Sequence, residues 1–351
     1  MTAPMSISSL SFGSLVSTTL MNYRNTFYDN VHNAIPIFYM LRNRKRTEEG
    51  GERIVAPLAY AKNSTFKSIA GYEAVDTTPQ DPLTSAYFNW KEMAGSMSIS
   101  REEENKNRGK YQVINLLQAK VKIAEMSAAE ELEEQAMAIA TASPSKDLDP
   151  INYLVQKLCT GSYTVGNINQ STYTWWRNQY TESSATTWAG FLAEIAHLYN
   201  KCSKGGGAGK RSEPDWIICD QGYYELYESA ARDKSRIVKY DDTIANLGFG
   251  GAKYKNAVFT WDEYYPDYYT NTAVTQSTVD SYSYSYGGAT FLNRDFIEYV
   301  VMAGSDLDVG PFIQPENQVV RTALIYNMAN LVISNRRKQG VHHKVDLTIA
   351  A

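Results

Sequence analysis

An α+β chain in which a long helix crosses a sheet is predicted by three observations. Lys110–Ala140, KYQVINLLQAKVKIAEMSAAEELEEQAMAIA, contains no Pro or Gly and is rich in Ala, Leu, Glu, Lys, Gln and Met, the better helix formers. Gly50–Ser100 breaks into β-leaning runs separated by Gly, Asn, Pro and Asp. Pro214–Asp233, PDWIICDQGYYELYESAARD, reads as a buried strand feeding a helix, an α/β element.

At a rise of about 1.5 Å per residue the Lys110–Ala140 helix is roughly 45 Å long. Ile114, Leu117, Val121, Ala124, Ala128, Leu132, Ala136 and Ile139 recur along one side at helical spacing. Lys120, Lys122, Glu125, Glu130, Glu133 and Glu134 fall opposite, on a side that reads as solvated or partner-facing. The heptad pattern fails at Glu131 and the apolar side rests on Ala, which argues against a free-standing coiled coil. The helix is expected to lie across a sheet, as the spine of a broad, thin subunit.

A chain of 351 residues implies two or three domains with cores of ordinary size. The formal charge of -4 argues against a coat of basic surface for nucleic acid and leaves room for a local basic patch. Cys159, Cys202 and Cys219 lie far apart with no CxxC pair, which fits buried thiols in a reducing compartment rather than a zinc site. The first twenty residues lack the basic start and apolar core of a signal peptide. No apolar run approaches the ~18 residues of a membrane span.

Met1–Leu20 has the composition of an arm. The stretch after it reads as a short amphipathic helix and then an aromatic-apolar strand, ending in Arg42, Arg44, Lys45 and Arg46. That basic cluster either touches nucleic acid or pairs with Glu48, Glu49, Glu52 or a neighbouring subunit, and the second reading is preferred. The runs 50–63, 66–82 and 84–100 read as strands of an extended hairpin and its return. Few of their residues alternate cleanly against a core, and a lone two-stranded ribbon is marginal, so it is expected to lie on another surface. Ser100 and Glu103 have the spacing of a capping box, and Gly109 separates that first turn from the long helix.

Ser143–Pro150 reads as a linker, and Pro150–Thr160 as a short amphipathic helix. Residues 160–180 follow as a Gly- and Asn-punctuated loop with paired Trp175 and Trp176. In Ser184–Cys202, Trp188, Phe191, Leu192, Ile195, Leu198 and Tyr199 mark a second amphipathic helix. Gly251–Asp267 contributes another strand. Tyr264, Tyr265, Tyr268, Tyr269, Tyr282, Tyr284 and Tyr286 then crowd a polar stretch that suits either an adaptable contact surface or a loop stacked on its own domain. Ala289–Leu292 and Asp295–Gly304 precede a β-leaning run, Val319–Ser334, expected to return to the sheet beneath the long helix.

Chemical motifs are tested and fail. Gly205–Lys210, GGGAGK, misses the phosphate-loop spacing by one residue, and Arg211 stands where that motif has a hydroxyl; it reads as a flexible loop. Asp306 and Asp308 resemble the start of a calcium loop without its remaining ligands, so a turn is expected. His342 and His343 are adjacent, so in a strand they face opposite ways, and both read as surface residues. His32 and His197 stand alone. Nothing supplies a nucleophile with its base, and no catalytic, cofactor-binding or metal residue is assigned.

The order of parts carries a family resemblance: a basic-ended arm, a Gly-Gly-initiated ribbon, NWKEMAGSMSISREEENKNRGK leading into the long helix, and VGNINQSTYTWWRN after it. The chain resembles a tailed-phage major capsid protein, with the fold shared by encapsulin shells and the floor of herpesvirus capsids. Residues 90–110 and 165–178 carry most of the likeness. The resemblance implies an N-arm (1–47), an extended loop that overlaps the adjacent subunit (48–85), a peripheral domain with the spine helix (86–151 and 313–351) and an α/β axial domain (152–312). It implies pentamers and hexamers of this chain in an icosahedral shell around non-specifically held double-stranded DNA. The further partners it implies are a portal, a separate scaffolding protein and, in some shells, a decoration protein. It places the chain in the virion, and in the host cytoplasm before assembly, with no membrane. Candidate subunit contacts are Arg42, Arg44, Arg46, Glu48, Glu49, Arg53, Lys62 and Lys67, and candidate axial-loop contacts are Tyr282, Tyr284 and Tyr286. Gly166-Asn167 stands where relatives often show Gly-Gly, which bears on the local loop shape. The covalent Lys–Asn cross-link of some relatives is not predicted, because neither Lys62 nor Lys67 can be matched to it. An encapsulin-like compartment is the alternative of the same fold; a carbohydrate- or phosphate-handling enzyme is the alternative of another class.

Overall fold

The computed structural model describes residues 36–106, 116–205, 212–233, 252–268, 270, 273–275, 285–316 and 318–349. Its first element, α1 (Pro36–Arg42), is a helix where the sequence suggested a strand. Pro36 takes the first helical position, where a missing N–H does no harm, and the N–H groups of Ile37 and Phe38 both donate to the Glu133 carboxylate. Ile37, Phe38 and Leu41 then share a buried face. A cap supplied from a distant helix leaves no local signal in the sequence.

After β1 (Arg46–Glu48), β2 (Arg53–Ala59) and β3 (Leu83–Asn89) pair antiparallel from Arg53↔Asn89 to Ala59↔Leu83 and form the ribbon. Contrary to expectation it does alternate against a core, with Ile54, Ala56, Leu58, Ala86 and Phe88 buried on one face. Residues 60–82 hold no strand. Local turns replace it, in which Asn63 and Asp76 side chains accept from the N–H two residues on.

β4 (Lys91–Ser100) runs into α2 (Arg101–Lys106) through the predicted capping box. Ser100 Oγ accepts from Glu103 N–H and the Glu103 carboxylate accepts from Ser100 N–H, each at 3.1 Å. α3 (Leu116–Met137) is the long helix. Gly109 and the residues expected to begin that helix, 110–115, lie outside the described residues. The N-terminal half of α3 lies on the sheet, Val121 and Ala124 packing on Met97, Ala323 and Ile325. Its C-terminal half is buried on several sides, which corrects the placing of Glu130 and Glu133 on a solvated face. Both carboxylates have internal donors there: Tyr264 Oη at 2.7 Å from Glu130, and the start of α1 for Glu133.

The linker that follows is tied down, Leu148 N–H donating to Gln135 and Asp149 N–H to Asn330. α4 (Ile151–Leu154) is one buried turn; β5 (Thr164–Val165), β6 (Ile168–Asn169) and β7 (Gln179–Glu182) come next. The second amphipathic helix is α5 (Trp188–Ser203), capped by Thr187, whose Oγ1 accepts from Gly190 N–H at 3.3 Å. β8 (Trp216–Cys219) feeds α6 (Gln221–Asp233) as predicted. Asp220 between them accepts from Tyr223 N–H at 2.7 Å and Gly288 N–H at 2.6 Å. β9 (Lys253–Tyr254), β10 (Ala257–Trp261), β11 (Gly287–Leu292), β12 (Ile297–Met302), β13 (Asp308–Val309), β14 (Val320–Ile333) and β15 (Gly340–Val345) complete the chain.

Two sheets organise these strands. One has the order β7-β15-β11-β8-β10-β9, and the other β1-β12-β14-β13 with β4 also paired to β14. β14 does return beneath α3, paired with β4 from Val320↔Ser100 to Ala329↔Lys91. Sheet membership crosses the boundaries drawn from the resemblance, since β12 lies in the α3 sheet and β15 in the six-stranded one. In the six-stranded sheet, Ile217, Phe259 and Phe291 face α5 and α6, while Trp216, Ile218 and Leu292 enter the main core on the other side. The three cysteines are free, buried thiols as expected. Among the described residues no helix is long and apolar enough to cross a membrane.

Candidate assembly surfaces

The basic cluster between α1 and β1 is met by carboxylates of its own chain. Arg42 and Lys45 pair with Asp306, Arg44 with Asp295 at 3.1 Å, and Arg46 with Glu298 at 2.7 Å and Glu48 at 2.9 Å. The cluster thus fastens this part of the chain to the two ends of β12, and Asp306 sits in an ion-paired turn. Exposed pairs of this kind contribute at most about 1 kcal/mol each. Arg53 pairs with Glu52 at 3.7 Å, and Glu49, Lys62 and Lys67 are exposed. Tyr282 and Tyr284 lie outside the described residues, as do Tyr269, His32, most of the GGGAGK loop and the arm before Pro36; Tyr286 is half-buried. Tyr264, Tyr265 and Tyr268 are buried, the last two meeting at 5.3 Å and sharing the Thr290 hydroxyl. These tyrosines stack on their own domain.

Two surfaces have apolar side chains that nothing among the described residues covers. On the 60–82 loop, Phe66 is 86 % exposed and Ile69, Tyr72 and Val75 are exposed beside it. On the α3 sheet, the face away from the helix carries Leu324 with Ala94, Ser96 and Ser98, near exposed Ile313 and Val319. β4 pairs only with β14 among the described residues, leaving its outer edge open. Contiguous exposed apolar patches are the usual form of contact surfaces, which makes these two the candidates here.

The base of the ribbon, by contrast, is seated closely. Gly166 and Asn167 form the two-residue turn between β5 and β6, with φ of +59° and +65°, the left-handed pair that a type I′ hairpin requires. Asn tolerates this region better than other side chains, so it fills the place of the second Gly. At Gly166 a Cβ would stand 2.8 Å from Ala86 Cβ and 3.1 Å from Phe88 Cζ. The Gly166 carbonyl accepts from Tyr87 N–H at 3.0 Å, Tyr60 stacks on Trp175 at 5.8 Å, and Trp90 Nε1 donates to Gly51 O at 2.9 Å.

Sequence reasoning missed two buried cations that hold the crossing from β14 to β15. Arg336 Nε donates to Leu154 O at 2.8 Å, Nη1 to Gln170 Oε1 at 2.8 Å and Trp176 O at 3.0 Å, and Nη2 to Asn178 Oδ1 at 3.2 Å. Burial lowers its pKa to about 9, so it stays protonated at neutral pH. Lys338 donates to the carbonyls of Lys204 at 3.1 Å and Gly205 at 2.6 Å, closing the C-terminal end of α5. Three of the four acceptors of Arg336 come from Gln170, Trp176 and Asn178. The stretch that carried the family likeness is therefore the socket for this side chain.

His342 and His343 are both buried, which corrects their placing on the surface. They do face opposite ways. His342 bridges the helices, Nδ1 meeting Tyr223 Oη at 2.8 Å and Nε2 meeting Glu194 at 3.2 Å. Burial of Glu194 pushes its carboxyl up, but hydrogen bonds from His342, Ser183 and Ser184 outweigh it and hold the pKa at about 2. This carboxylate–imidazole–phenol row has the form of a relay, yet Tyr223 is fully buried, so no substrate reaches its hydroxyl. His197 is exposed. A pocket of about 260 Å³ at the ribbon base is lined by Arg53, Tyr87, Asn89, Ser143, Asp149 and Thr164, among others; the Ser143 hydroxyl donates to Asp149 at 2.5 Å, and the other Asp149 oxygen accepts from Asn330 at 2.9 Å, so this pair ties the linker to β14.

No sequence-family model and no curated protein matches the chain. Solved structures do. The capsid of cyanophage A-1(L) matches with a TM-score of 0.65 at 12 % identity, over 96 % of this chain and 99 % of that one. The chain has the capsid fold. The SrpI encapsulin of Synechococcus elongatus matches with a TM-score of 0.58 at 9 % identity over 100 % and 99 %. The capsid of a native GTA particle gives 0.58 at 10 % over 98 % and 100 %. Identities this low establish the fold, and each of these matches covers 96 % or more of this chain.

Proposed function

We propose that the chain is the major capsid protein of a tailed bacteriophage, a building block rather than a catalyst. It assembles into pentamers and hexamers that close an icosahedral shell around double-stranded DNA. The observation that carries this reading is the capsid fold matched across nearly the whole of both chains. The apolar 60–82 loop and the uncovered face of the α3 sheet supply surfaces for neighbouring copies. Head-to-tail contacts close into rings where the rotation permits, and many modest contacts add up across a shell.

In this reading residues 1–47 form the arm and 48–85 the loop that overlaps the next subunit. The peripheral domain takes 86–151 and 313–351, and the axial domain 152–312, with β12 joining the peripheral sheet and β15 the axial one. A portal, a separate scaffolding protein and a decoration protein are further partners of the same proposal. DNA contact is sparse and non-specific, and the chain resides in the virion after assembly from the host cytoplasm.

An encapsulin-like compartment is favoured by one observation, the match that spans all of this chain. Sedimentation of the purified chain, alone and with a candidate scaffold, with electron microscopy and nucleic-acid assay of the heaviest fraction, decides the matter. Closed particles that package DNA when a portal is supplied are expected. Closed particles that enclose protein cargo and no DNA would turn the reading to a compartment, and a monomer under every condition would overturn both.

A further inference from the structure

Lys91, Asp149 and Asn330 are buried together at the root of the ribbon, where β4 begins its pairing with β14. Lys91 stands opposite Ala329 in that pairing, one residue from Asn330. Asp149 lies between amine and amide: Lys91 Nζ is 4.0 Å from its Oδ1, and Asn330 Nδ2 donates to its Oδ2 at 2.9 Å. The other buried lysine among the described residues, Lys338, donates to main-chain carbonyls instead.

Each member of this cluster fits one part of an acyl transfer. Asn330 Oδ1 accepts from two backbone N–H groups, that of Leu331 at 2.8 Å and that of Asp149 at 3.0 Å, the arrangement that stabilises an oxyanion. Asn330 Nδ2 already touches a carboxyl able to protonate it as it leaves. Lys91 Nζ donates to Pro144 O and to Ser143 Oγ at 3.3 Å, on a flexible four-carbon stem that can swing the amine toward the Asn330 side chain.

We propose that Lys91 and Asn330 join in an isopeptide bond within the chain, with Asp149 as the proton carrier, so that β4 is covalently stapled to β14 at the root of the ribbon. The Lys91 ammonium passes a proton to Asp149, and the freed Nζ attacks Asn330 Cγ while negative charge collects on Oδ1 between its two N–H donors. Asp149 hands the proton to Nδ2, the Cγ–Nδ2 bond breaks, and the released ammonia takes the second proton of Nζ and leaves as ammonium. A Cγ–Nζ amide replaces the Cγ–Nδ2 amide, Asp149 is regenerated, and the balance needs no further reactant. Burial pushes the Asp149 carboxyl up, against the hydrogen bonds from Ser143 and Asn330 and the charge of Lys91, which suits a group that holds a proton in transit. The pocket lined by Ser143 and Asp149 gives the ammonium a way out. The bond forms inside one folded chain, so it stands or falls separately from shell assembly.

Intact mass spectrometry of the purified full chain, corrected for any removal of Met1, tests it. The wild-type chain is expected to be lighter than its sequence by one ammonia, and a tryptic digest to contain residues 68–101 joined to residues 322–336. Lys91→Arg, which keeps the charge and cannot form the amide, is expected to show its full sequence mass, as is Asp149→Asn, which keeps the side-chain size and removes the proton carrier; circular dichroism checks that both fold. A wild-type chain at its full sequence mass would overturn the proposal. So would a chain lighter by one water, which would mark a bond to Asp149 itself, or an ammonia loss that persists in Lys91→Arg or in Asp149→Asn.

Discussion

In the six-stranded sheet every residue of β8 and β11 is buried, and successive side chains enter two different cores. In the α3 sheet, β4 and β14 up to Met328 alternate between a face closed by the helix and a face where Leu324, Ser96 and Ser98 meet solvent, whereas β14 from Ala329 to Ile333 is buried throughout. A sheet covered on both sides is complete within one chain. A sheet part covered on one side only, beside a ribbon whose 60–82 loop is unsheltered among the described residues, leaves the burial that the proposed assembly would finish. Under the proposed assembly, the difference separates what holds the subunit together from what would join it to its neighbours.

The largest effect should come from the closed region. Arg336→Ala leaves Leu154 O, Gln170, Trp176 O and Asn178 without their donor and should lower stability by about 3–5 kcal/mol in a urea titration. A loss below about 1 kcal/mol would break the claim that this buried cage holds the two sheets together. Gly166→Ala comes next, at about 1–3 kcal/mol, because it combines a left-handed backbone with a Cβ driven into Ala86 and Phe88. Tyr87 amide protection should drop with it, and ribbon seating that survives intact would contradict the geometry.

A smaller effect is expected from pH. Burial pushes the His343 imidazole down to about 4, so the folded chain resists charging it. Its contribution is fully present above the unfolded value near 6.5 and is lost as pH falls toward 4. His343→Gln should remove that acid-side slope. The informative quantity is the difference in slope between wild type and variant.

The smallest effect on the free chain, and the sharpest test of the contrast, is Leu324→Ser. On an uncovered face it should change chain stability by no more than about 0.5 kcal/mol while reducing the yield of assembled particles. A substantial loss of chain stability with normal assembly would reverse the assignment of that face.

Much of the architecture could be read from the sequence where local pattern decides it. The apolar spacing of α5, the β8-to-α6 succession, the Ser100–Glu103 capping box and the return of β14 beneath the long helix follow from periodicity and capping chemistry alone. What escaped depends on partners far along the chain. PIFYMLR becomes a helix because Glu133 caps it, and Glu133 and Glu130 are buried because α1 and Tyr264 supply donors. Arg336, Lys338, His342 and His343 have the residue types of a surface, and only the carbonyls, amides, Tyr223 and Glu194 brought round by the fold make them interior. The ribbon and its loop were expected, whereas the basic cluster assigned to neighbouring subunits meets Asp295, Glu298 and Asp306 of its own chain.

The central claim is that neighbouring copies finish the open region and leave the closed one unchanged. Hydrogen exchange compared between assembled particles and the free chain measures this directly. The account predicts protection gained on assembly across residues 60–82 and along β4 from Glu92 to Ser98, with β8 and β11 unchanged. Closed particles in which residues 60–82 exchange as fast as in the free chain would contradict it.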